Sequence, residues 1–495
     1  MYLTPAAGAI QQRTARQSGI AGLILLLASI AFLTDLYWLL HAGQLFMLQL
    51  PILLLCFAVI SVYGLGYILN PPQWLILFLF GLIYLAQDVT FRASSGGGDM
   101  QTLIKGGMAF ALLAMTVSTG LGAAMREPVL AIWLGYAAFA MASAAYASLM
   151  ILAVGSGIAL LAIALASARI ATAKTEALQW SWQSLYWGSL LVALGSLALL
   201  AASSDLARDI SDPLGYRLKG ITGSANALGP MMAVGAILVP VMASRTGHRG
   251  RRWLYWLSGA IFVAALALSK SRSSMSGLVA AFVVTFALTR RQTIWAVLVG
   301  LLGASLSLVV VTQPRAVNLV LRSVTKLISR SGDVAELTSF TGRSDIWQAS
   351  WGLIKAKPWI GYGLGSIRVE LPRAYADIWG NTYSTAHNFI LESLISVGVV
   401  GTSLLLVAMI WTTLGLVKMV RRAHPAAGSA TPAPVPMMQT ALRCMVFLWV
   451  YSTMEKAFAG TVAPATVVLG LCIASFAHAR QASTQAPVPS AHARS

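Results

Sequence analysis

His387 is the side chain whose type and position most suggest chemistry. It lies in Ser384-Thr-Ala-His-Asn-Phe-Ile-Leu-Glu392, where a polar segment gives way to a long apolar run. Imidazoles titrate near neutral pH, so a histidine at such a boundary can take a hydroxyl proton as a general base. A lone histidine more often hydrogen-bonds a backbone carbonyl, and its surroundings must decide between the two. Those surroundings are rich in cations. Arg272 sits in Ser269-Lys-Ser-Arg-Ser-Ser-Met-Ser276 with Lys270 beside it, Arg217 stands ahead of Asn226, and Arg343 opens Arg343-Ser-Asp-Ile-Trp347. Each arginine alone could snorkel to lipid headgroups or pair with an acid. Three arginine-bearing segments on one face would instead favour a shared anion site, and the planar guanidinium fork suits a pyrophosphate. Asn388, Lys270, Asn226 and Trp347 are the supporting candidates.

Other chemistries lack their residues. The acids expected on the same face include Asp88, Asp99, Asp205, Asp209, Asp212, Asp333, Glu336, Asp345, Glu370 and Asp377, and none forms a DxD pair. No His/Asp cluster has metal-ligand spacing, and there is no P-loop or GxSxG. Neither metal nor cofactor is expected. Trp347, Trp351, Trp359, Tyr362, Tyr375, Trp379 and Tyr383 crowd the region before His387. A membrane-interface belt accounts for about half of them. The others could stack on sugar rings or pack the segment as a cap.

The elements that must position these residues are membrane helices. The chain has 495 residues, 58% hydrophobic and 10% charged, with a mean hydropathy of +0.76. A soluble domain carries about a quarter charged residues, so a water-soluble globular protein is excluded, and the alternation of a transmembrane β-barrel is absent. An all-α polytopic membrane protein with about 12–14 spans is expected. The candidates are 19–40, 45–69, 73–90, 103–124, 129–147, 149–168, 184–203, 227–244, 253–269, 274–289, 293–312, 389–417, 438–456 and 462–479. The run after Arg13 and Arg16 is too long for a signal-peptide core and reads as a retained first span. Cys56, Cys444 and Cys472 lie in apolar stretches without CxxC spacing, so no disulfide framework or zinc site follows.

Charge then orients the spans. Arg13, Arg16, Arg126, Arg169, Lys174, the Arg245–Arg252 run, Arg290, Arg291, Lys418, Arg421 and Arg422 fall on one side, which the positive-inside rule makes cytoplasmic. Much of the net charge of +19 is therefore an orientation signal, and nucleic acid is not an expected partner. The expected organisation is N-terminal spans over 1–312, a large outer loop over 313–388, C-terminal spans over 389–479 and a disordered cytoplasmic tail over 480–495. Pro425–Pro436 reads as a cytoplasmic linker. Within the long loop, Arg315–Arg330 is expected to form an amphipathic interfacial helix. A second helix is expected over Gly342–Lys357, ending before Pro358, followed by a flexible turn at Gly361-Tyr-Gly-Leu-Gly365.

Three stretches together resemble the bacterial O-antigen ligase/O-antigen polymerase superfamily, over roughly residues 210–410. Ser269-Lys-Ser-Arg-Ser-Ser274 is similar to the family's Ser/Arg turn. Thr341–Trp347 with Lys357-Pro-Trp-Ile-Gly-Tyr-Gly-Leu-Gly365 looks like the start of its large periplasmic loop. His387-Asn388, nine residues, then Gly398-Val-Val-Gly-Thr402 fits the H-[NSQ]-x9-G-x-x-G-[TV] pattern associated with the ligases. Arg217 with Asn226 resembles a further family segment, although Ala225 stands where a proline is common. The resemblance implies a GT-C type membrane glycosyltransferase of the Gram-negative inner membrane, needing neither metal nor ATP. Its donor would be a preassembled glycan on undecaprenyl pyrophosphate, and for a ligase the acceptor is a sugar hydroxyl of lipid A–core, making lipopolysaccharide. A polymerase or protein O-oligosaccharyltransferase of the same superfamily would use another acceptor. A polysaccharide transporter is the rival from a different class, but it would place charges at the membrane midplane on broken helices. Here the charges gather at one face.

Overall fold

The structure is a computed structural model that describes residues 73–86, 100–209, 217–289, 343–376, 383–422 and 435–485. In chain order the helices are α1 (Gln73–Ala86), α2 (Met100–Ala124), α3 (Pro128–Ala142), α4 (Met150–Ala171), α5 (Thr175–Ala202), α6 (Ala225–Arg245), α7 (Arg249–Ser269), α8 (Arg272–Thr289), α9 (Arg343–Ala356), α10 (Ile367–Ala374), α11 (Phe389–Arg422), α12 (Val435–Ser452) and α13 (Pro464–Gln485). Among the described residues there is no strand, and one isolated bridge joins Arg208 to Leu218. Seven of the helical segments are long and apolar enough to cross a membrane: α3 with the turn after it, α4, α5, α6, α7, α11 and α13. The protein is an all-α polytopic membrane protein.

Helix α6 is buried along most of its length and packed on α5, α7, α8 and α12. Between helices in lipid there is little hydrophobic drive, so close backbone approach at small residues has to supply the contact. Gly235 of α6 does this against Phe262 of α7, where an added Cβ would lie 2.6 Å from the ring. Gly277 of α8 likewise meets Phe447 of α12. Buried hydroxyl pairs cross between helices, Tyr84 with Ser189 at 2.9 Å and Tyr186 with Ser258 at 2.5 Å. By contrast α7 turns Trp253, Leu254, Trp256 and Val263 outward, the face lipid would cover.

Two sets of cross-links mark the two ends of the bundle. At one end Arg245 reaches Met437, Arg421 reaches the carbonyl of Leu288, Arg480 approaches Glu127, and His478 bonds Thr175 and the carbonyl of Ala171. Among the described residues, the cations that orient the sequence cluster here. The opposite end carries Lys270, Arg272, Arg343 and His387, so the separation of the two charge groups holds in three dimensions.

The 128–168 apolar run divides at Ser143–Leu149, and Arg343–Ala356 forms the helix expected before Pro358. The last helix runs on to Gln485, past the expected start of a tail at residue 480, because His478 and Arg480 are anchored to α4 and to Glu127. Spans 19–40, 45–69 and 293–312, the Arg315–Arg330 helix, Trp379 and residues 423–434 lie outside the described residues.

Candidate functional site

The turn between α7 and α8 is built around Arg217. Helix α7 stops because Lys270 takes a left-handed backbone conformation, φ 48°, and α8 starts two residues later at Arg272. The guanidinium of Arg217 is buried and donates through Nε to the carbonyl of Ser269 at 3.1 Å and through Nη2 to Oδ1 of Asn226 at 2.5 Å. The amide of Leu218 bonds the carbonyl of Leu268 at 2.9 Å. Gly229 lets α6 press on this turn, since a Cβ there would fall 2.5 Å from that of Ser271. Arg217 and Asn226 therefore brace the Ser/Arg turn from below.

A second group gathers where α11 begins. Asn388 caps that helix, its Oδ1 accepting from the amides of Ile390 and Leu391 at 3.0 and 3.1 Å. Its Nδ2 donates to the carbonyl of Thr453 at 3.0 Å, tying the helix start to the turn after α12. Just before the cap, His387 adopts φ 50°, a conformation costing roughly 1–2 kcal/mol for a residue with a Cβ. Its Nδ1 lies 3.3 Å from Oε2 of Glu455. The other oxygen of that carboxylate, Oε1, receives Nη2 of Arg343 at 3.4 Å, and Nη1 of Arg343 donates to the carbonyl of Met454 at 2.6 Å. Trp347 donates its indole N–H to the carbonyl of Ala386 at 2.9 Å. His387, Glu455 and Arg343 thus form one chain of polar contacts, partly open at the histidine, which keeps 29% side-chain exposure.

The segment between α9 and α11 is held by backbone pairing. The amides of Tyr362 and Gly363 bond the carbonyls of Ile395 and Ser396, both at 2.8 Å, and Val399 and Val400 return bonds to the carbonyls of Pro358 and Trp359. That exchange requires Gly398 to leave helical geometry (φ 63°, ψ −168°) and kink α11. A Cβ on Gly398 would sit 2.3 Å from the backbone of Trp359. The glycine run 361–365, expected as a flexible turn, is in fact a fitted strap. It is also fastened to the α3–α4 connection, where Leu364 N–H donates to Ser143 Oγ at 3.0 Å and Tyr146 to the carbonyl of Ile360 at 2.9 Å. Beneath the strap Ile346, Ile354, Ile367, Leu371, Ala386 and Ile395 form a small core of their own.

The aromatic residues divide in use. Trp347 holds the histidine turn, while Tyr375 and Tyr383 stack at 6.1 Å and seal the small core. Tyr362 lies under the ammonium of Lys357 at 4.6 Å, and burial, then the nearby Glu370 charge, raises its phenol above the ordinary range. Trp351 and Trp359 are exposed.

The structure thus joins Arg343, Trp347, His387 and Asn388 in one group, and Arg217, Asn226 and Lys270 in another. Arg272 is the first residue of α8. Helices α8 and α12 run antiparallel with Gly277 against Phe447, so the first residue of α8 lies level with the end of α12, just before Glu455. Sequence reasoning missed Glu455. The signal available was Glu455-Lys456, a charged pair in the short turn between two apolar runs. Among the described residues no three His, Cys, Asp or Glu side chains gather as metal ligands would.

The O-antigen ligase family model matches residues 257–406. The match begins inside α7, includes the Ser/Arg turn, α8, the strap and the histidine turn, and ends beyond Gly401. The match covers less than half of the chain and supports the superfamily resemblance that the motifs carry, and with it a glycosyltransferase-like membrane enzyme. Arg217, Asn226 and Glu455 lie outside the matched stretch. No curated protein matches the chain.

Proposed function

We propose, for a chain carrying an O-antigen ligase domain, that it transfers a preassembled glycan from undecaprenyl pyrophosphate to a sugar hydroxyl of lipid A–core. The reaction takes place at the periplasmic face of the Gram-negative inner membrane, with both chain termini in the cytoplasm. The observation that carries the reading is the contact of His387 Nδ1 with Glu455, at the membrane end that also bears Arg343 and Arg272.

With Nδ1 turned to the carboxylate, Nε2 is the ring nitrogen left to receive a proton. The carboxylate favours the tautomer with hydrogen on Nδ1 and stabilises the imidazolium that forms, as in other carboxylate–histidine pairs. The acceptor hydroxyl attacks the anomeric carbon, the bond from that carbon to the phosphate oxygen breaks, and its electron pair leaves with the pyrophosphate. The hydroxyl proton passes to Nε2 late in the step. One displacement inverts the anomeric centre. Arg272 and Arg343 stabilise the departing pyrophosphate, and Arg217 serves them by bracing the Ser/Arg turn. Guanidinium groups suit this because the charge they meet is delocalised over several oxygens.

Reconstitution of the full chain with a polyprenyl-pyrophosphate-linked glycan and purified lipid A–core tests the proposal. Transfer with inversion, lost in His387→Ala, is the expected result. Transfer to a growing polysaccharide or to protein in place of lipid A–core would overturn the acceptor assignment. Product retaining the donor's anomeric configuration would overturn the single displacement.

A further inference from the structure

Glu392 is a buried carboxylate, 2% exposed, in the first turn of α11. Its Oε2 accepts the amide N–H of Ala386 at 2.9 Å. Its other oxygen faces Gly460, where an added Cβ would lie 3.0 Å from Oε1. Lys456 and Arg368 both approach the hydroxyl of Thr461, at 3.3 and 3.4 Å, so the turn after α12 wraps around this carboxylate. A glutamate in the first turn of a helix commonly reaches back to the capping residue. Here it reaches past the cap Asn388 and past His387 to the residue before both.

That geometry has a consequence for the histidine. Ala386 is held at both polar atoms, its N–H by Glu392 and its carbonyl by Trp347. Asn388 is held by Thr453. His387 between them is left in its left-handed conformation, the kind of strain that persists only where the surroundings over-determine it. On the other side of the pair, Lys456 follows Glu455 directly. We infer that Glu392 is a positioning residue for His387, holding the residue before the histidine by a hydrogen bond and packing against the Gly460–Thr461 turn to which Lys456 is also bonded. The inference rests on the proposed role of His387.

The test uses full-length protein in proteoliposomes and a polyprenyl-pyrophosphate-linked glycan as donor. Glu392→Gln keeps the shape and one acceptor oxygen but puts a donor where the other oxygen stands, and Glu392→Ala loses the whole group. The expected result is a fall in kcat of about 10-fold for Gln and about 10²-fold for Ala, within the range for a displaced general base, with donor KM almost unchanged. In a His387→Ala background either change should cost nothing further, because residues acting as one unit are non-additive. Carbethoxylation by diethyl pyrocarbonate, mapped by mass spectrometry, should change in rate at His387 and stay constant at His478. If Glu392→Ala fails to insert, Glu392→Gln decides the matter. Unchanged kcat per folded molecule, or a loss in yield alone with His387 reactivity intact, would overturn the inference. Should His387→Ala itself retain transfer, the base assignment fails first, and that outcome is distinguishable because Glu392 can still alter His387 carbethoxylation.

Discussion

The carboxylate of Glu455 stands 3.3 Å from Nδ1 of His387 across a separation of 68 residues. Neither side chain lies on the same helix as the other, and the contact exists because Asn388 and Thr453 join the start of α11 to the end of α12. Removing the carboxylate charge leaves the imidazole without its orienting partner. Glu455→Gln is therefore expected to lower kcat by about 10²-fold or more while the protein still inserts, since loss of the corresponding carboxylate elsewhere costs up to about 10⁴-fold. Single-turnover transfer by the reconstituted variant measures it, and a rate near that of the parent would leave the contact without catalytic meaning.

Arg343 shares that carboxylate, so its replacement has two effects. Arg343→Lys keeps a cation but cannot bond Met454 and Glu455 as a planar fork. We expect weaker donor binding together with slower transfer, a rise in KM and a fall in kcat. Donor titration against both Lys and Ala variants should show Lys closer to Ala than to the parent. Full activity in the Lys variant would mean that charge alone suffices.

Arg217 has structural partners. Its guanidinium serves Ser269 and Asn226, so Arg217→Ala and Asn226→Ala should each loosen the Ser/Arg turn. Breaking a buried bond to a charged group costs about 1.5–3 kcal/mol. Thermal unfolding in detergent should fall for both single variants, with the double variant little worse than the poorer single one. Strict additivity would show that the two residues do not work together.

Gly398→Ala meets both a backbone and a packing obstacle. The position needs positive φ with extended ψ, available essentially to glycine alone, and the new Cβ would collide with Trp359. A loss of roughly 2–5 kcal/mol is expected from strain plus overpacking, seen as a lower unfolding midpoint and early proteolysis between Pro358 and Gly365. An unchanged midpoint would show that the strap can shift at little cost.

Topology can be read chemically. Ser384 is exposed beside the histidine turn and Gly247 is exposed at the opposite end of the bundle. In intact cells a membrane-impermeant maleimide should modify Ser384→Cys, and Gly247→Cys should react only after permeabilisation. The reverse pattern would invert the proposed orientation.

Composition and charge spacing determined that this is a helical membrane protein, because apolar runs near the bilayer thickness leave a backbone few other ways to satisfy its polar groups. The motifs around Arg272, Arg343 and His387 were legible for a similar reason: polar residues clustered at the ends of apolar runs stand out against them. The same reading took Gly361–Gly365 for a loose turn, since glycine in a sequence signals permitted conformations and not which backbone will press against it. Only the folded chain shows that Gly398 admits that strap. Glu455 offered only the faint signal of a charged pair in a short turn, and Glu392 none, as a helix residue in an apolar run. Their meaning comes from contacts across α9, α11 and α12, which bring 343, 387, 392 and 455 together. Spacing along a chain fixes which face of a helix a residue occupies, and only packing decides which distant residue it meets there.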